Sequence, residues 1–228
     1  MKDQKINTPF PFSADGKPSV LLFFVSVALM IALTCSMWAI NLVGTYLLRI
    51  FCVLLVIILY TSVAVIAMKL TGQTHVLRPV KRNLWLQALI GLGLAATLCF
   101  FFGILPILFD TSLVGSHMEP DAGRLVILAV EDLFFVGIGE EVFFRGYVQN
   151  QFEIWLGRRK IFAPLIAGIL FGLWHLINGS LLQMLIASVI GCVFGYARAY
   201  VKDCTLLSVI IAHGFYDFSL TLLACFVL

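Results

Sequence analysis

An all-α, polytopic transmembrane bundle is the fold class this chain predicts, and three observations predict it. Hydrophobic residues make up 61% of the sequence and charged ones only 12%, against roughly 25% charged in soluble domains. Apolar stretches of about 20 residues, enough for a helix to cross about 30 Å of hydrocarbon, recur along the whole chain. Lys and Arg gather in every second connection between those stretches, the pattern that keeps basic loops in the cytoplasm.

The elements follow in order. Residues 1–18 carry Lys2, Lys5 and Lys17 and read as a cytoplasmic N-terminal segment, because the apolar run after them is too long for a signal-peptide core. Spans are expected at 19–42, 50–68, 84–109, 125–147, 161–178, 181–200 and 205–228. Lys69, Arg78, Lys81 and Arg82 join the second to the third, Arg158, Arg159 and Lys160 the fourth to the fifth, and Arg198 and Lys202 the sixth to the seventh. The opposite side holds Arg49 and Arg124 with the acidic Asp110, Glu119 and Asp121. Seven spans, N-terminus inside and C-terminus outside, satisfy this pattern. The six cysteines are scattered singly, with no Cys-x-x-Cys pair, and read as buried packing residues. The net charge of +3 sits beside span ends, so no nucleic acid is needed to explain it.

Residues 19–123 read as scaffold helices and 124–228 as a catalytic core, since nearly every reactive side chain falls in the second group. Ionisable groups inside a membrane are costly and therefore functional candidates. In Gly139-Glu140-Glu141-Val142-Phe143-Phe144-Arg145, neighbouring glutamates point about 100° apart on a helix. Glu141 and Arg145, four apart, can pair, which leaves Glu140 to face something else. Glu131 and Asp132 are expected in contact with water at a cavity mouth. His175 follows Phe171, with Asn178 three residues on and roughly on its face. His213 and Asp217 stack at i and i+4 in the last span. Each group alone fits a structural role; three helices each carrying such a group into lipid is poorly explained by coincidence.

Glu140-Glu141-x-x-x-Arg145, Phe171-x-x-x-His175 and His213-x-x-x-Asp217, in this order, resemble the CPBP family of CAAX-type prenyl endopeptidases and bacteriocin-immunity or abortive-infection-like membrane proteins. The likeness covers about residues 124–217. It implies an intramembrane endopeptidase in which Glu140 activates water, His175 orients that water and His213 helps to stabilise the oxyanion. Relatives commonly have asparagine where this chain has Asp217. An ionised carboxylate repels an oxyanion, so Asp217 is assigned to orienting His213, to carrying a proton, or to a metal. Asn178 is then a candidate for the missing amide donor, and Phe171 for support.

By ligand type, Glu141, His175, His213 and Asp217 would also serve zinc. No His-Glu-x-x-His segment exists to place two ligands and a base on one helix, so no cofactor is favoured and zinc is the lesser alternative. The expected partners are the lipid bilayer and a membrane-anchored peptide or protein substrate, prenylated or C-terminally anchored, reached through a cavity opening towards the cytoplasm and into lipid. A bacterial plasma membrane is the expected location. The competing classes are a non-catalytic immunity or partner-binding protein and a proton-coupled transporter.

Straight spans leave a tension. Glu140 would lie about 24 Å from Arg124, and His175 about 22 Å from Lys160 on the other side, at about 1.5 Å per residue. The two can meet only if the fourth helix is long and tilted, or if the 158–160 loop stands clear of the hydrocarbon.

Overall fold

A computed structural model describes residues 20–40, 42, 44–77, 83–109, 117–119, 121–177 and 179–227. The segment 1–18, Arg78, Lys81, Arg82, Asp110 and Asn178 lie outside the described residues. Every described element is helical. We label the principal helices α1 (Val20–Ile40), α2 (Tyr46–Leu70), α3 (Leu84–Leu108), α4 (residues 122–156), α5 (Ala163–His175), α6 (Leu181–Tyr200) and α7 (Leu206–Phe226). Short 3-10 turns, Thr74–Leu77 and Gly157–Phe162, follow α2 and α4.

Five of these, α1, α2, α3, α6 and α7, are long and apolar enough to cross a membrane. The predicted fourth and fifth spans are not among them, for two different reasons. α4 carries Glu131, Asp132, Glu140, Glu141 and Arg145 in its middle, more charge than a lipid-facing span carries. α5 has 13 residues and at about 1.5 Å each is roughly 20 Å long, short of the bilayer core. With the apolar helices around them, α4 and α5 make up an integral membrane bundle.

α4 answers the tension in the sequence. Asp121 caps its start, accepting from the Arg124 backbone N–H at 2.7 Å, and Gly157, at φ +53°, ends it in the left-handed region that glycine alone enters without strain. Between them the backbone stays helical but widens into π-turns at Glu131–Val136 and Val142–Gln149, with Gly137–Glu141 as α-helix between. π-turns are frequent at functional sites, and these bracket both glutamates. A third, Cys99–Ile104, lies in α3 just before Pro106, whose missing N–H prevents an ordinary helical bond.

Small residues let the inner helices approach. A Cβ on Gly168 of α5 would lie 2.6 Å from the Cys192 backbone nitrogen of α6, and one on Gly214 of α7 would lie 2.8 Å from the Asp132 carbonyl oxygen of α4. Such contacts drive helix association where lipid is as apolar as the side chains. The cysteines depart from expectation: all six are free, but only Cys204 and Cys225 are buried, and Cys35 is exposed. Outer helices face lipid, so an apolar residue there need not be inside.

The ends of the bundle differ. Lys160, Asn150 of α4, Arg198 of α6, Thr205 before α7 and His75 after α2 line one cavity of about 610 Å³, which places these chain segments at one end. At the other end the Met118 N–H donates to the Ala224 carbonyl at 3.0 Å, joining the approach to α4 to the last turns of α7.

Candidate active site

Three helices bring six predicted side chains together. On α4, the Glu141 carboxylate pairs with the Arg145 guanidinium at 2.9 Å, and both side chains are wholly buried. The Arg145 guanidinium carbon also sits 4.2 Å from the Phe171 ring centroid and 5.6 Å from that of Phe194, a cation–π arrangement that compensates part of the lost hydration. The same Glu141 oxygen lies 2.7 Å from Nδ1 of His213 on α7. Both fixed partners of Glu141 therefore meet at Oε1, while its buried Oε2 has no hydrogen-bond partner among the described residues.

Glu140 is placed differently. Its Oε2 stands 3.8 Å from Nε2 of His175 and 3.8 Å from Nε2 of His213. Both separations exceed a direct hydrogen bond and suit a bridging water. His175 ends α5, and its Nδ1 donates to the Phe171 carbonyl at 2.9 Å. A carbonyl only accepts, so in the neutral ring Nε2 is an acceptor turned towards Glu140. Phe171 holds this ring from the side as well, 4.5 Å between centroids, and contacts His213 at 5.7 Å.

Asp217 Oδ2 lies 3.1 Å from His213 Nε2. His213 is thus gripped at both nitrogens, by Glu141 and by Asp217. Each of the two contacts requires a proton, on the ring nitrogen or on the carboxylate facing it, since otherwise lone pairs would oppose one another. Because Glu141 and Asp217 occupy opposite ring nitrogens, the four-residue zinc set does not close around one point as placed. Among the described residues no three His, Cys, Asp or Glu side chains converge as metal ligands.

Two cavities reach the site. One of about 590 Å³ is lined by Phe171, His175, His213 and Asp217 and continues along Gln183 to Met118. A smaller one, about 190 Å³, touches Glu140, His175 and Glu131 between Thr34 of α1, Tyr60 of α2 and Trp174 of α5. Glu131 is at a cavity wall, as its sequence position suggested, and Asp132 accepts from Thr221 at 3.4 Å. The sequence reading put the mouth on the basic side. The larger cavity instead runs towards the opposite end, because the basic side of the site is filled by Arg145, Tyr147, Gln149 and Gln151, each at most 1% exposed.

Sequence reasoning missed contributions from α1, α2 and α6. Tyr60 and Thr34 carry no charge and stand in largely apolar runs, so they carried no pattern. Phe194 had a usable signal in Gly191 and Gly195, four apart on its helix. A Cβ on Gly191 would lie 3.1 Å from Arg145 Nη2, and one on Gly195 would lie 2.9 Å from Gln149 Oε1. The two glycines are what let α6 close over these polar side chains.

With this geometry in place, comparison with known families is decisive for one segment. Residues 122–219 match the family model described as Type II CAAX prenyl endopeptidase Rce1-like. Over that segment the chain is similar to this family. The segment contains Glu140, Glu141, Arg145, His175, His213 and Asp217, and it agrees with the CPBP resemblance of the motifs. No curated protein and no solved structure matches the chain. The Rce1-like match, together with the five apolar helices, supports an integral membrane protein of intramembrane-protease type.

Proposed function

We propose that this protein is an intramembrane endopeptidase that hydrolyses a peptide bond of a membrane-associated, prenylated or C-terminally anchored substrate by means of a glutamate-activated water. The observation that carries the reading is the position of Glu140 Oε2, 3.8 Å from two imidazole nitrogens on two other helices. A water held there donates to Glu140 and to His175 Nε2, leaving a lone pair for the substrate carbonyl carbon. Glu140 takes the proton as the new C–O bond forms, and returns it to the amine as the C–N bond breaks. His213, with a proton on Nε2 that it shares between Asp217 and the developing oxyanion, is the donor for that oxyanion, and low dielectric strengthens the interaction. Asp217 and Glu141 act as positioning residues that fix the His213 ring from its two nitrogens. Arg145 positions Glu141.

The wider setting is proposed on the same footing: seven traversals, with α4 and α5 enclosed by apolar helices, a cytoplasmic N-terminus, and a bacterial plasma membrane. The placement of exposed Arg158, Arg159, Lys160 and Lys202 at one end of the bundle supports that orientation.

Membrane proteomics of cells carrying wild type or Glu140→Gln tests the activity. A membrane peptide cleaved only by wild type supports it, and identical peptide profiles with both proteins folded overturn it. Metal analysis of the purified protein tests the mechanism. Cleavage that persists without bound zinc supports glutamate chemistry; stoichiometric zinc lost together with activity overturns it.

A further inference from the structure

The cavity of about 610 Å³ at the basic end takes no part in the site: His75, Asn150, Glu153, Lys160 and Arg198 line it, but none of Glu140, Glu141, His175 or His213 does. Buried amides stand between the two. Gln73 donates to Gln151 at 3.0 Å and Asn150 donates to Gln73 at 2.7 Å. Gln149 donates to Glu153 at 2.9 Å and to the Gly195 carbonyl at 3.2 Å. All four amides are buried and crosslink α4 with the chain after α2 and with α6. The cavity therefore has a chemistry of its own.

Cations dominate that chemistry. The Arg198 side chain, in the last turn of α6, is only 13% exposed, and its one ion pair among the described residues is a contact of 3.7 Å with Glu153 Oε1. That is too long for a direct hydrogen bond, and the same oxygen already accepts from Gln149. A cation so enclosed is costly unless its donors are met, and Arg198 lines the cavity. Lys160 reaches the cavity from the turn after α4, and His75 from the turn after α2. Glu153 is the single carboxylate in the lining, so two permanent cations against one anion leave a positive balance even with His75 neutral. Leu206 and Leu207, which open α7, also line the cavity. Amides at the start of a helix have no carbonyl partner within it, and the capping box of Thr205 uses the later amide of Ser208.

We infer that this cavity is a phosphate-binding site, in which Lys160 and Arg198 hold the oxyanion and His75 and the opening amides of α7 are further donors. A phosphate suits the lining because its oxygens point in several directions at once, and the cations arrive from separate chain segments. The rest of the lining bears on the carrier. Leu77, Leu207 and Ile210 are apolar, and the volume falls in the range of about 300–1,000 Å³ common to small-molecule sites, so there is room for more than the phosphate itself. Lys160, with exposed Arg158 and Arg159 beside it, marks an end of the bundle, the level at which basic pockets between helices meet lipid headgroups. A phospholipid headgroup and free phosphate present the same oxyanion, and the apolar wall adds a contact that only the lipid can use.

Binding is measured on the purified full-length chain in detergent micelles, with phosphatidylglycerol in one arm, read by native mass spectrometry, and inorganic phosphate in the other, read by calorimetry. Saturable one-to-one binding is expected, weakened about tenfold or more by Lys160→Gln with the unfolding midpoint unchanged, because Lys160 is exposed. Arg198→Lys should weaken it as well, since an ammonium lacks the planar fork of a guanidinium. Lys202→Gln is the control: Lys202 is exposed but does not line the cavity, so this variant should bind as wild type does. Binding of the lipid alone assigns the site to a headgroup, binding of the ion alone to free phosphate, and binding of both to any phosphate; each supports the inference. It is overturned if neither binds saturably, if Lys160→Gln binds as tightly as wild type, or if Lys202→Gln loses as much as Lys160→Gln. No substrate enters the assay, so every result leaves the hydrolase reading where it stands.

Discussion

Above and below Glu140 the molecule is built in two ways. Towards the basic end, Arg145, Gln149, Gln151 and Gln73 are buried at 3% exposure or less, and the partners they have are protein groups: Glu141, Glu153, one another, Asn150 and the Gly195 carbonyl. Towards the other end, the imidazoles and Asp217 face a cavity of about 590 Å³. The difference teaches a division of labour. A polar group in lipid must be satisfied by protein or by water, and the basic-end layer takes the first solution while the site keeps the second. The two neighbouring glutamates fall on either side of this boundary: Glu141 belongs to the fixed layer, and Glu140 lines a cavity.

The sharpest way to break the comparison is to neutralise each glutamate in turn. Glu140→Gln is expected to reduce cleavage by about 10²–10⁴-fold, the range for loss of a general base, while thermal unfolding in detergent stays near wild type. Glu141→Gln should instead lower stability, because it leaves Arg145 buried without a counter-ion. Equal loss of stability in both variants would erase the distinction.

Arg145→Ala comes next. Removing one partner of a buried ion pair costs about 3–5 kcal/mol, and here the guanidinium also fills the space between Phe171 and Phe194. Arg145→Lys should recover little of the loss, since an ammonium lacks the planar stacking surface. Unfolding midpoints of the two variants decide this; full rescue by lysine would show that charge alone matters.

These groups were legible in the sequence because charge in an apolar run is conspicuous. Glu140, Glu141, Arg145, His175, His213 and Asp217 stood out one by one, and helical spacing alone gave the Glu141–Arg145 pair. What spacing could not give was the shape of α4. Two π-turns change the angular position of every residue beyond them, and nothing in Glu131–Val136 or Val142–Gln149 marks that widening in advance. The predicted spans and the helices long and apolar enough to cross a membrane differ at α4 and α5 for a related reason. Apolar runs were counted as if each helix faced lipid, whereas an enclosed helix is free of the length and composition that lipid imposes. The direction of the cavity was illegible too, because it depends on which side the buried amides fill, and Gln73, Gln149, Asn150 and Gln151 come together only in the folded chain.

Close approach offers a milder probe of the site layer. Gly214 follows His213, and a Cβ there would lie 2.8 Å from the Asp132 carbonyl oxygen and 2.9 Å from Leu133 Cα. Both are backbone atoms, so the helices must part for alanine to fit. Gly214→Ala should cost about 1–3 kcal/mol, as overpacking does, and should lower the rate by moving His213 away from Glu140. If stability falls with the rate unchanged, the helix spacing is not what sets the catalytic geometry.

The smallest effect tests the amide layer through a cycle. Gln73→Leu leaves Asn150 and Gln151 with unmet groups, and Asn150→Leu leaves Gln73 with one, so each single change should cost about 1–3 kcal/mol. Replacing both removes donor and acceptor together, and the pair should cost less than the sum of the singles because the orphaned groups disappear. Gln151 keeps one unmet contact, which prevents the double variant from becoming neutral. Strict additivity in unfolding free energy would mean that these amides do not depend on one another, and the basic end would then be a set of separate contacts rather than a seal.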